Sequence, residues 1–445
     1  MGDCRPGGLA TDFYELTMAA SYLRHAMAGQ ATFSLFLRRL PPGRGFVVAA
    51  GLDDCLDFLE DFHFEPDELR YLTELGFDDQ VIDQFRRLSF TGTVRAVPPG
   101  RVVFAHEPIL EVTAPLPEAQ LVETYLLNQI TFQSAIASKA ARCRIAAAGA
   151  DLMDFSFRRT HGMEAAMKAA RASAIAGFMA TSNTAAARRY GLRATGTMAH
   201  SYVQAFRSET EAFAAFAGDF PARVTFLVDT YDTLAGVAHA IDVIRQRGLG
   251  GELAIRLDSG DLLELSTASR SLLDEAGLPS VRIVASGNLD EYEIERLVRS
   301  SAPIDAYGVG TRMGVSADAP YLDSVFKLVA YDGRPVMKLS PGKATQPGPK
   351  QVFRTPAPAS IGPDLLASAD EPPPDGLEPL LVPVMEGGRR VGTLAGSLGA
   401  AHDRFEADLG RLPPQSYRLR GAAPAKVRIS RTLQALTSRV RSGIE

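Results

Sequence analysis

Val224-Thr-Phe-Leu-Val228, Leu253-Ala-Ile-Arg-Leu257, Val281-Arg-Ile-Val-Ala285 and Ile304-Asp-Ala-Tyr-Gly308 are four short, largely apolar runs. Each is followed at once by small polar residues: Asp229-Thr-Tyr-Asp-Thr233, Asp258-Ser-Gly-Asp261, Ser286-Gly-Asn-Leu-Asp290 and Val309-Gly-Thr-Arg312. Segments of helical spacing, such as Asp290–Val298, lie between the runs. A repeat of about 23–29 residues is the length of a strand, a loop, a helix and a return. Continuous apolar strands alternating with helices predict a parallel sheet covered by helices. Ligands of such sheets bind beyond the carboxyl ends of the strands, so the four polar clusters are expected to face one pocket.

The bulk composition bounds the rest. A chain of 445 residues is too long for one ordinary core, which predicts two domains. Hydrophobic residues at 46% and charged residues at 22% are those of a soluble globular protein. The net charge of −5 gives no general reason to expect nucleic acid as a partner. Cys4, Cys55 and Cys143 are an odd set without disulfide or metal spacing, which points to a reduced, cytoplasmic compartment. The N-terminus has no basic-then-apolar signal region, and no apolar run reaches the roughly 18 residues of a membrane span. Neither secretion nor membrane insertion is expected.

Upstream of the repeats, Thr11-Asp-Phe-Tyr-Glu-Leu-Thr-Met18 opens a helix with Thr11 or Asp12 as its cap, and Tyr14 reads by itself as a core-edge aromatic. Ala31–Leu37 alternates like a strand and ends at Arg38-Arg39, either a solvated pair or a phosphate-binding one. Helices are predicted at Leu52–Phe62, Pro66–Leu75 and Asp79–Leu88, and strands at Phe90–Pro98, Val102–Phe104 and Pro108–Thr113. Glu118 to Ala148 is one long helical pattern leading towards the repeats. After them, Val325–Tyr331 and Arg334–Leu339 flank Asp332-Gly333, a hairpin signal. Ser340–Pro349 reads as a mobile loop, and the proline-rich residues 355–377 as a linker. These readings predict an α/β fold in three segments. Residues 1–117 form an N-terminal α/β domain of mostly antiparallel strands, and 118–340 an α/β barrel. Residues 341–445 pack back on the N-terminal domain.

Several strand-end residues carry chemistry. Ser286-Gly287-Asn288 and Gly308-Val-Gly310-Thr311 offer free backbone N–H groups on consecutive strands, a cradle for phosphate or simply turns. Asp229, Asp232, Asp258 and Asp261 crowd one mouth, where they suit a divalent cation, a ribose hydroxyl or a helix cap. Arg256 lies inside an apolar strand and needs a bound anion or a partner carboxylate. Arg158 and Arg159 add positive charge at another strand end, so a multiply anionic substrate such as a sugar diphosphate is expected. Of the seven histidines, His200 alone follows a strand-like run into a strand-end loop, after Gly196-Thr-Met-Ala; a lone histidine is otherwise more often structural. No HExxH, Ser/His/Asp order, GxGxxG or GxxxxGK[ST] motif occurs, and no metal-ligand set is identified.

Seven co-linear motifs then carry a family resemblance. Thr11–Met18, Asp154-Phe-Ser-Phe-Arg-Arg159, Thr181-Ser-Asn183, Gly196–His200, Val228-Asp-Thr-Tyr231, Ile255-Arg-Leu-Asp-Ser-Gly260 and Tyr307-Gly-Val-Gly-Thr311 resemble nicotinate phosphoribosyltransferases. Met337-Lys-Leu-Ser340 and Lys350-Gln-Val-Phe-Arg354 extend the match. The resemblance implies an irregular α/β barrel of the type II phosphoribosyltransferase kind, with a second α/β domain, in a homodimer with shared active sites. It implies transfer of phosphoribose from phosphoribosyl pyrophosphate (PRPP) to nicotinate, coupled to ATP hydrolysis with Mg²⁺, in NAD salvage. By the same resemblance His200 is the residue ATP phosphorylates, Asp229 orients it, and Asp258 acts with Asp229 at the ribose. Phe155 and the partner subunit's Tyr14 sandwich the pyridine. Arg256 meets the nicotinate carboxylate. Arg158, and with it Arg38 or Arg39, binds phosphate, while Ser286, Gly287, Gly308, Gly310 and Thr311 hold the ribose 5-phosphate. Asn183 falls where the related nicotinamide enzymes carry aspartate, which favours nicotinate over nicotinamide, the alternative substrate. Ser156 departs from the glycine more usual in that family, and His161 stands where glutamine or another residue is common.

Overall fold

The computed structural model describes residues 7–392 and 397–444, so Cys4 lies outside the described residues. They form two units: residues 136–318, and the chain up to 135 together with that from 319 onward.

The 136–318 unit is built on seven parallel strands in a curled, open sheet. Their order is Arg193–Ala194, Ala180–Thr181, Asp151–Asp154, Ala306–Val309, Arg282–Ala285, Glu252–Leu257 and Arg223–Leu227. The four repeats quoted above are its four adjacent strands at one edge, joined by the helices Thr233–Arg247, Leu262–Glu275 and Glu291–Arg299. All three helices begin on aspartates: Asp232 accepts the Ala235 N–H, Asp261 that of Leu263, and Asp290 those of Tyr292 and Glu293. Strand alternation then divides the side chains between two faces. Phe226, Ile255, Leu257, Ile283, Tyr307 and Val309 are all buried on one. The other carries Met153, Phe155, Ala254, Arg256, Val284, Ser286, Ala306 and Gly308 in parallel register. Met153, Ala254, Val284 and Ala306 pack together there. They line a cleft of about 1330 Å³ that also touches Ser182, Thr195, Gly196 and Thr197. Bulky branched residues usually fill a barrel interior; here alanines and threonines leave it open.

The other unit carries a seven-stranded antiparallel sheet in the order Arg334–Pro335, Ser324–Tyr331, Gln30–Leu37, Pro108–Pro115, Thr93–Ala96, Val382–Glu386 and Arg389–Arg390. Asp332 and Gly333 both have positive φ, as the predicted hairpin turn requires. The helical pattern from Glu118 is two helices, Leu116–Leu121 and Glu123–Ala147, and the unit boundary falls inside the second. The reason is packing: Tyr125 stacks on Phe58 with centroids 4.1 Å apart. The second boundary lies at 318/319 rather than near 340, because Ser324–Tyr331 pairs with Gln30–Leu37. Residues 355–377 are more than a linker. They contain the Asp364–Ser368 strand of a second, four-stranded sheet with Glu378–Pro379, Lys350–Arg354 and Val427–Ile429. Arg354 is fully buried and forks onto Asp364 at 3.0 Å through Nε. Proline content hid that strand, and an internal ion pair fixes it.

Candidate active site

The loops after the parallel strands bring His200, Asp229, Arg256, Asp258 and Ser286 into one network. Arg256 projects from Glu252–Leu257 with its guanidinium 5.5 Å from the centre of the Phe155 ring. Its Nε donates to Ser286 Oγ at 2.8 Å, Nη1 to Thr197 Oγ1 at 3.1 Å and Nη2 to Asp258 Oδ1 at 2.6 Å. The strand-interior arginine therefore has its partner carboxylate two residues along the same strand end. Burial works to raise the Asp258 carboxyl, but Ser286, Arg256 and His200 together hold it below the usual carboxylate range. Asp258 is thus an anion across the physiological range.

His200 opens the short helix His200–Ala205 and is 41% exposed at its side chain. Its Nδ1 meets Thr230 Oγ1 at 3.1 Å, and its Nε2 lies 3.9 Å from Asp258 Oδ2. The orienting contact expected from Asp229 comes from the next residue. Asp229 Oδ2 instead accepts the Asp258 N–H at 3.0 Å and the Ser259 hydroxyl at 2.5 Å. Asp229 Oδ1 is buried with no hydrogen-bond partner among the described residues. Asp232 and Asp261, by contrast, are helix caps.

The glycines of the two phosphate-type loops are fixed by close packing. A Cβ on Gly308 would sit 2.5 Å from ring atoms of Phe155, and one on Gly287 would sit 1.9 Å from the Asp258 carbonyl oxygen. Gly287 and Asn288 both have positive φ, so successive N–H groups turn the same way. Ser286 is buried, whereas Thr311 and Arg158 are exposed.

Asp154 supports the site from behind. It is buried; Oδ1 accepts Ser156 N and Oγ at 2.9 and 2.6 Å, and Oδ2 accepts Thr181 Oγ1 at 2.7 Å. This ties the Phe155 loop to the Thr181-Ser-Asn183 turn. The serine that replaces glycine at 156 is accommodated by Gly314, whose Cβ would meet Ser156 Cβ at 2.3 Å. Asn183 is fully buried and caps Thr184–Tyr190, its Oδ1 accepting the Ala186 N–H at 3.1 Å. Its neighbour Ser182 lines the cleft within the sheet, whose lining includes none of His200, Asp229, Arg256, Asp258 and Ser286. Tyr14 belongs to the other unit, half-exposed on Phe13–Arg24. Arg38 and Arg39, also there, both converge on Asp323 at 3.7 and 2.8 Å. Thr197, Thr230, Ser259 and Asp154 were not singled out from the sequence, although all four stand inside the quoted motifs.

The family model for the nicotinate phosphoribosyltransferase N-terminal domain matches residues 9–131, and that for the nicotinate phosphoribosyltransferase family matches residues 150–355. Nicotinate phosphoribosyltransferase pncB2 of Mycobacterium tuberculosis is 50% identical over 411 residues, covering 92% of this chain and 88% of the relative. The Bacillus subtilis nicotinate phosphoribosyltransferase is 46% identical over 356 residues, 78% of this chain and 72% of the relative. The crystal structure of human nicotinic acid phosphoribosyltransferase superposes with a TM-score of 0.87 at 30% identity, over 97% of this chain and 99% of that one. The nicotinate-nucleotide pyrophosphorylase of Pyrococcus furiosus shares the fold, with a TM-score of 0.75 at 24% identity over 91% and 95% of the two chains. Motif order, strand-end network and these matches agree, and the chain belongs to the nicotinate phosphoribosyltransferase family.

Proposed function

We propose that this chain transfers the phosphoribosyl group of PRPP to nicotinate, giving nicotinate mononucleotide and pyrophosphate in NAD salvage, and that ATP hydrolysis through His200 is coupled to the transfer. The observation that carries this reading is the Arg256–Asp258 pair, a cation over the face of Phe155 with an anion fixed beside it. Arg256 presents a planar fork suited to the nicotinate carboxylate. Asp258 is an anion beside the place where positive charge develops at the anomeric carbon. The pyridine nitrogen lone pair forms the new bond to C1, and the C1–O bond breaks with its electrons leaving on pyrophosphate. Phe155 and the partner subunit's Tyr14 hold the ring, which makes the working enzyme a homodimer.

Among the described residues no group of three or more His, Cys, Asp or Glu side chains is arranged to hold a metal. Mg²⁺ accompanying the diphosphate would neutralise its charge. The unpartnered, buried Asp229 Oδ1 is the acceptor that suits it. In the tautomer whose Nδ1–H donates to Thr230 Oγ1, His200 Nε2 carries the lone pair that takes the terminal phosphoryl group of ATP, releasing ADP. Phosphorylation places new negative charge beside Asp258 and shifts affinity between substrate and product.

The test is pyrophosphate release from PRPP with Mg²⁺, comparing nicotinate, nicotinamide and quinolinate, each with and without ATP. Turnover with nicotinate that rises with ATP supports both parts. Turnover with nicotinamide alone removes the carboxylate role of Arg256, and nicotinate turnover indifferent to ATP removes the role of His200.

A further inference from the structure

We propose that Arg312 binds the 5-phosphate of the phosphoribosyl substrate and that Asp290 is the positioning residue that holds it across the two glycine loops. This rests on the phosphoribosyl-transfer reading. Residues 286–289 and 308–311 carry no charged side chain. A phosphate seated on them meets backbone N–H groups and hydroxyls, and the cation that touches Ser286, Arg256, is already bonded to Thr197 and Asp258, although phosphate sites usually pair those donors with a cation of their own. Arg312 is the next residue after one loop, and Asp290 closes the other. The strands that carry them, Ala306–Val309 and Arg282–Ala285, are adjacent and parallel.

Asp290 is built to anchor. Its Oδ1 accepts the Tyr292 and Glu293 N–H groups at 3.0 Å each, which pins it to the start of Glu291–Arg299. Its Oδ2 accepts from Arg312 Nη1. The exposures are unequal: Asp290 is 11% exposed at its side chain and Arg312 52%. A buried, immobile carboxylate thus grips one corner of a guanidinium that stands half in solvent beside two phosphate-type loops. The next carboxylate along, Glu291, is neutralised separately by Lys139 at 2.5 Å and Arg142 at 2.8 Å, deep in the same unit. Burial pushes the Asp290 carboxyl up, but the Glu293 N–H and Arg312 hold it below the usual range, so the anchor stays ionised.

The test uses the full chain, with calorimetric titration of ribose 5-phosphate and, separately, of pyrophosphate, beside steady-state kinetics. Arg312→Ala is expected to weaken ribose 5-phosphate by about tenfold or more and to raise the KM for PRPP in parallel. The KM for nicotinate and the affinity for pyrophosphate stay within about twofold, and thermal melting is unchanged. Arg312→Lys restores part of the loss, since charge returns without the fork. Asp290→Asn, which still caps the helix through its amide oxygen, weakens ribose 5-phosphate by a smaller factor with the same selectivity. Equal ribose 5-phosphate affinity in Arg312→Ala and wild type would overturn the assignment, as would a loss confined to pyrophosphate or shared by nicotinate. If wild type neither binds ribose 5-phosphate nor releases pyrophosphate, the transfer reading fails and this one with it.

Discussion

His200 Nδ1 lies 3.1 Å from Thr230 Oγ1, so the residue that fixes the imidazole is a neutral hydroxyl, while the adjacent Asp229 turns its carboxylate to the Asp258 backbone. A hydroxyl sets the ring's angle without adding charge, and it can donate to Nδ1 or accept from it. Thr230→Val keeps the side-chain shape and removes that contact. The expected result is a fall of about tenfold in ATP-stimulated turnover, with ATP-independent turnover retained. His200→Ala abolishes the stimulation altogether. Comparing initial rates with and without ATP checks both. An undiminished stimulation in Thr230→Val would mean that the ring is held by something else.

Arg256→Lys tests the carboxylate site. Lysine keeps the charge but loses the fork that reaches Ser286, Thr197 and Asp258 at once. A charge-assisted hydrogen bond is worth about 1.5–3 kcal/mol, which predicts a fall of roughly 10- to 150-fold in kcat/KM for nicotinate. Nicotinamide, uncharged at that position, loses less. Parallel kinetics with the two pyridines decide the point, since equal losses for both would assign Arg256 to general structure and not to the carboxylate.

The parallel sheet was legible because its strands are buried on one face and fed by helices. Four apolar runs in a row leave little else for Ile255, Ile283 and Tyr307 to do. The arginine inside such a run was legible for the same reason: burial without a partner is costly, and Asp258 is that partner. Roles that depend on which way a side chain turns were not legible. Asp229 and Thr230 are neighbours in the chain, and only the loop's path decides which one faces His200. Asn183 and Ser182 differ likewise: the helix cap takes Asn183 inward and leaves Ser182 on the cleft. The Asp364–Ser368 strand was hidden by the prolines around it. Its pairing with Lys350–Arg354 and the Arg354 ion pair depend on how the intervening loop folds back, which the sequence pattern does not show.

Gly308 and Gly287 are expected to tolerate alanine poorly, and for different reasons. At Gly308 the new methyl meets the Phe155 ring at 2.5 Å, so the ring must move. Gly308→Ala should therefore raise the KM for nicotinate while the protein still folds. At Gly287 the obstacle is the Asp258 carbonyl at 1.9 Å, with φ at +90°. Backbone cannot step aside as a ring can, so Gly287→Ala should destabilise by about 1–3 kcal/mol or more. Thermal melts beside nicotinate kinetics separate the two. A Gly308→Ala variant with unaltered nicotinate KM would place the pyridine away from Phe155.

Glu15 gives a pH prediction in the other unit. It is fully buried and accepts from the Thr11 hydroxyl and from Thr124 Oγ1 at 2.8 Å. Burial, only partly offset by those two hydroxyls, pushes its carboxyl up to about 6. A carboxyl raised in the folded state binds its proton more tightly there than in the unfolded chain, so its contribution is full at acid pH and is lost as pH rises through about 6. A shift from the ordinary value of 4.5 corresponds to about 2 kcal/mol across that window. Glu15→Gln removes the titration; its amide oxygen accepts from one hydroxyl and its NH2 donates to the other. Any constant effect of the amide cancels when the pH difference is taken. Relative to wild type, the variant should gain about 2 kcal/mol of unfolding free energy between pH 4 and pH 8. Urea denaturation of both proteins at the two pH values measures that difference. A gap between them that does not change with pH would show that Glu15 keeps an ordinary carboxyl despite its burial.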